Sequence, residues 1–139
     1  MFRAGSIALL AALVSIIGVT PRAGAYEPST NYALQCMGCH TPDGTGVPDR
    51  VPSIKTTLVP FARMAEGRKF LVQVPGSAQS TLSNAELAQL LNWMIENLSS
   101  TPPAQDYKRF TEQEVADYRS HALVEVRVTR ERLLAASTQ

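Results

Sequence analysis

The two cysteines of this chain are Cys36 and Cys39, and a histidine follows the second at once, so that Cys36-Met37-Gly38-Cys39-His40 reads C-x-x-C-H. This run constrains the chain more than any other, because one short turn must present two thiols and an imidazole to whatever they hold. A disulfide between the thiols is one use, and it requires an oxidising compartment. The N-terminal residues point to such a compartment. Residues 1–25 begin with Arg3, continue through an apolar stretch from Ile7 to Val19, and close on Ala23-Gly24-Ala25, the pattern of a cleaved secretory signal. The apolar stretch is interrupted by Ser15 and Gly18 and is short for a bilayer span, so cleavage after Ala25 and no stable membrane anchor are expected.

Two further uses of the thiols fit poorly. A thioredoxin-like dithiol belongs after a strand in a βαβ setting, and residues 26–50 show no such alternation. Structural zinc takes four ligands, yet the chain has no third cysteine and its other histidine is His121. The remaining use is c-type haem attachment. Each thiol adds across one haem vinyl group, and the two intervening residues let one turn present both sulfurs along the same porphyrin edge. His40 then projects under the ring, where an imidazole nitrogen binds iron from the proximal side. The expectation is one covalent haem c on Cys36 and Cys39, with His40 as the iron ligand.

From Asn31 to Leu98 the motif and its surroundings resemble the class I cytochrome c family. The resemblance implies an all-α fold, a small helical domain around one haem. In it Asn31–Gln35 forms an entry helix, Thr41-Pro42-Asp43-Gly44-Thr45-Gly46 wraps the haem edge as a turn-rich loop, and a later helix packs across the entry helix. It also implies a proline whose carbonyl accepts the His40 Nδ1–H. Pro52 stands at about that place, and Pro48 is the alternative. Electron-carrying members commonly place Met-Pro shortly before the last core helix as the distal iron ligand, whereas this chain has Val74-Pro75. The sixth ligand is then Met64, His121, or none, the position being vacant or filled by water. Met37 lies in the attachment loop, and Met94 reads as core.

Residues 58–73 read as one or two short helices broken near Gly67, and Gly76 to Ser83 as a polar loop. Ser83 and Glu86 form a capping box. It opens a helix whose Leu87, Leu90, Leu91, Met94, Ile95 and Leu98 make an apolar stripe, with Trp93 filling the core near the crossing with the entry helix. Ser99–Pro103 ends that helix. A second capping box, Thr111 with Glu114, opens a helix over Val115 and Tyr118. Alternation at Val124, Val126 and Val128 permits a strand, but the helix formers of Glu131–Ala136 and an Arg127–Glu131 pair favour a helix over 124–136. The chain accordingly divides into a signal peptide (1–25), a haem domain (26–100) and a helical C-terminal extension (101–139) that packs on the core or docks a partner.

Thirteen basic and twelve acidic residues nearly cancel, and they remain nearly balanced without Arg3 and Arg22, which argues against nucleic acid as a partner. Lys55, Arg63, Arg68 and Lys69 form either a basic rim for an acidic partner or the haem propionates, or a solvated face. No Ser, His and Asp fall into a catalytic pattern, so the chain does not read as an enzyme. The resemblance implies a periplasmic electron-transfer protein between a dehydrogenase and a downstream acceptor such as an oxidase. A five-coordinate haem sensor or ligand-binding protein, or a cytochrome subunit of an oxidoreductase complex, is the alternative.

Overall fold

The computed structural model describes residues 26–138, and the expected signal peptide lies outside them. The described chain is all-helical, as the sequence led us to expect: α1 (Pro28–Gln35), α2 (Leu58–Ala62), α3 (Ala65–Gln73), α4 (Pro75–Ala78), α5 (Asn84–Asn97), α6 (Glu112–Arg119) and α7 (Val126–Ser137). Its one β-type pairing among the described residues is an isolated bridge between Val47 and Val51. None of the described helices is long and apolar enough to cross a membrane.

Helix α1 begins three residues before the expected entry helix, because Pro28 sits in its first turn, where a fixed φ and a missing N–H carry no penalty. It buries Asn31 and Tyr32. Helix α5 starts with the full capping box, in which the Glu86 backbone N–H donates to Ser83 Oγ while the Ser83 N–H donates to the Glu86 carboxylate. Its stripe is buried from Leu87 to Ile95. The two helices meet where Trp93 packs on Tyr32, with ring centroids 5.7 Å apart and tilted by 45°, a contact worth about 0.5–1.5 kcal/mol beyond area burial.

The break expected near Gly67 falls instead at Arg63 and Met64, between α2 and α3, where Met64 turns to extended backbone. Gly67 lies inside α3 because α2 crosses it closely: a Cβ there would stand 2.2 Å from the Phe61 carbonyl oxygen. That approach brings Phe61 edge-on to Phe70 at 5.4 Å. The stretch read as a polar loop after Val74 contains the short helix α4, opened by Pro75.

Residues beyond α5 are knit to the rest of the chain by polar groups as well as by Phe110, Val115 and Leu133, all buried. Buried Asn92 on α5 accepts the Phe110 N–H and the Tyr107 hydroxyl and donates to the Phe110 carbonyl. Thr111 caps α6 by accepting the Glu114 N–H, but only half of the expected box forms. The Glu114 carboxylate is taken by Arg68 on α3, which grips both of its oxygens at 2.6 Å and lies over the Phe110 ring at 3.9 Å. A two-pronged, half-buried pair outcompetes a single backbone contact. Arg119 at the end of α6 donates to the carbonyls of Ala78, Ser80 and Leu82. Helix α7 packs on α3 and α2, and its solvent side carries the expected Arg127–Glu131 pair at 3.5 Å.

Candidate functional site

Helix α1 ends at Cys36, and the chain tightens into a turn in which Cys39 and His40 both donate their backbone N–H to the Cys36 carbonyl, at 3.1 and 2.9 Å. The turn folds the five-residue motif onto one wall of a cleft. That cleft has a volume of about 290 Å³. Cys36, Cys39 and His40 line it together with Pro52, and apolar walls come from Ile54, Leu58, Phe70, Leu71, Val74, Leu91 and Met94.

The loop after the motif holds the histidine end of the turn in place. Tyr32 donates its hydroxyl to the Thr41 carbonyl at 2.7 Å, and burial, then the neighbouring Cys36 and Asp43, push its pKa up to about 12, so it remains a donor. Asp43 accepts from the hydroxyls of Thr41 and Thr45, the Thr45 N–H and Lys55 Nζ, and these bonds hold its carboxyl well below the usual carboxylate range. Gly46 adopts φ +82°, and a Cβ there would lie 2.3 Å from the Val51 carbonyl, which fixes how closely the loop doubles back.

The chemistry of the donor set fits a haem. The thiols are unpaired, and burial, followed by the nearby Cys39, pushes Cys36 up to about 11. That is the reverse of the depressed thiol pKa on which a redox dithiol depends. Burial lowers the His40 pKa, which favours the neutral imidazole, the form whose lone pair a metal takes. Its Nδ1 is buried without a hydrogen-bond partner, so the bond expected from it to the Pro52 carbonyl is not made, although Pro52 lines the cleft.

Met64 is not brought to this site. Just before α3, it lines a separate hollow with Val59, Pro60, Arg63, Thr101, Ala136 and Ser137. His121 is exposed beside Ser120 and is also absent from the cleft wall. The methionine that does line the cleft is Met94, reached from the α5 stripe. Of the basic rim read from the sequence, Lys55 pairs with Asp43 and Arg68 with Glu114, while Arg63 and Lys69 are exposed, and none of the four lines the cleft. Two arginines that sequence reasoning passed over, Arg50 and Arg130, line the cleft instead, and so does Val126. The i, i+4 spacing of Val126 and Arg130 on one helix was the available signal, and it says only that they share a face.

No family model matches the chain. Two proteins named cytochrome c-552, both from Thermus thermophilus, are each 26% identical to it over 116 residues, covering 70% of this chain. The stretch spans 88% of the first and 78% of the second.

Proposed function

We propose that the chain is an exported, single-haem c-type cytochrome of class I, passing single electrons between a dehydrogenase and a downstream acceptor in the periplasm. One observation carries this reading: two unpaired thiols and an imidazole share the wall of an apolar cleft, on a turn built by consecutive residues. Cys36 and Cys39 would hold the haem through thioethers and His40 would bind its iron. When bound, the haem supplies a one-electron couple. The polypeptide excludes water from that couple with Phe70, Leu71, Leu91 and Met94 and needs no catalytic side chain to do so. Cys39 is exposed, which puts the attached edge within reach of a partner's redox group. The likeness to two proteins named as cytochromes c supports the reading. Residues 26–100 form its haem domain and 101–139 its extension.

The distal ligand separates this function from its rival. With Met64 and His121 off the cleft wall, Met94 is the thioether that lines it and would be the candidate for a second iron ligand. If Met94 does not ligate, the iron is five-coordinate and the protein binds small ligands. Visible and near-infrared spectra of the purified protein in both redox states test this. A thioether-to-iron charge-transfer band in the oxidised form and no carbon monoxide binding in the reduced form are expected for a carrier. Absence of the band with rapid carbon monoxide binding assigns the ligand-binding role.

A further inference from the structure

The formally charged side chains on the cleft wall are Arg50 and Arg130, and no acidic residue lines it. Arg130 is half-buried, as are Arg68 and Arg119, but the three are satisfied very differently. Arg68 places its donors on the Glu114 carboxylate and on the Ala62 and Lys108 carbonyls. Arg119 donates to three carbonyls and to Ser80 Oγ and Asn84 Oδ1. Among the described residues Arg130 pairs with no carboxylate, and its contact is Nη2 to the Ser53 carbonyl at 3.5 Å, at the outer limit of a hydrogen bond. A guanidinium on the edge of an apolar cleft, with only this long contact to another residue, has its fork free to take an anion in two-pronged geometry. Arg50 stands three residues before Ser53, so both cations flank the same stretch of wall.

We propose that α7 is part of the haem site, with Arg130, alongside Arg50, pairing with the haem carboxylates while Val126, one turn earlier on the same face, closes the apolar wall. The inference rests on the covalent-haem reading above. A haem carries two carboxylates, and this cleft offers two unpaired guanidiniums and no competing acid. The guanidinium fork matches a carboxylate in two-pronged geometry, and the partial burial of Arg130 shields its pair from screening, while Arg50 is exposed. The C-terminal segment thereby does more than cover the core: it sets the charge felt by the iron.

The test is the reduction potential of the holoprotein, with redox-difference infrared spectra, for the parent chain, Arg130→Gln, Arg130→Lys and Arg132→Gln. Arg132 is an exposed cation on the same helix that does not line the cleft. Removing a cation beside the haem favours the oxidised state. The expected result is a lower potential and displaced haem carboxylate bands in Arg130→Gln, a potential restored most of the way in Arg130→Lys, and parent behaviour in Arg132→Gln. A haem-bearing Arg130→Gln with parent potential or parent carboxylate bands overturns this inference alone. A parent chain that keeps no haem on a denaturing gel overturns it together with the reading it rests on.

Discussion

Asn92→Ala is the substitution whose cost can be worked most directly from the contacts. Asn92 is 4% exposed, and its amide serves three bonds: Oδ1 accepts from Phe110 N–H and Tyr107 Oη, each at 2.8 Å, and Nδ2 donates to the Phe110 carbonyl at 3.0 Å. Alanine removes all of them. The Phe110 N–H and carbonyl stay buried without partners, at about 1–2 kcal/mol each, while the half-buried Tyr107 hydroxyl can turn to water for about 0.5–1 kcal/mol. The sum is about 2.5–5 kcal/mol. With an m-value of about 1.5 kcal/mol/M, the urea midpoint of the holoprotein falls by about 2–3 M. Because the lost bonds tie the 107–110 segment to α5, limited proteolysis under native conditions should also release the chain beyond Ser99 sooner. A midpoint within about 0.5 M of the parent, with unchanged proteolysis, would refute the assignment of this amide as the clasp between core and C-terminal segment.

Two further predictions follow from the motif's surroundings. Asp43 has a folded-state pKa below its unfolded value, so the unfolded chain binds the extra proton; its contribution is present above the usual carboxylate range and is lost as pH falls through it. The stability difference between the parent and Asp43→Asn, measured by urea titration at a series of pH values, should therefore be largest near neutrality and shrink toward acid; a difference constant with pH contradicts it. Met64→Leu should leave the visible and near-infrared spectra unchanged in both redox states, since Met64 lines a different hollow from His40; a band lost in that variant would put its sulfur on the iron.

Local chemistry was the legible part of the fold. The Ser83–Glu86 box and the α5 stripe are written within one or two turns of sequence, and both stand as read. The misreadings share a cause, namely a residue whose role is decided by a distant neighbour. Gly67 looked like a helix break, but its missing Cβ makes room for the Phe61 backbone. Thr111 and Glu114 spell a capping box, yet Glu114 turns to Arg68, 46 positions away. In the candidate site, adjacency in sequence carried Cys36, Cys39 and His40 to one wall without any tertiary information. The rest of that wall draws on the loop before α2 and on α2, α3, α4, α5 and α7, and the arrival there of Met94 and Arg130 rather than Met64 depends on how those helices cross.

The most direct measurement is the mass of the proteolytic peptide containing Cys36–His40, taken from protein isolated from an exporting host and denatured in acid and organic solvent. We expect that peptide to retain one haem through two thioether bonds, with neither thiol open to alkylation. A peptide of unmodified mass, with Cys36 and Cys39 both alkylated or joined to each other as a disulfide, would contradict the assignment of this cleft as a covalent haem site.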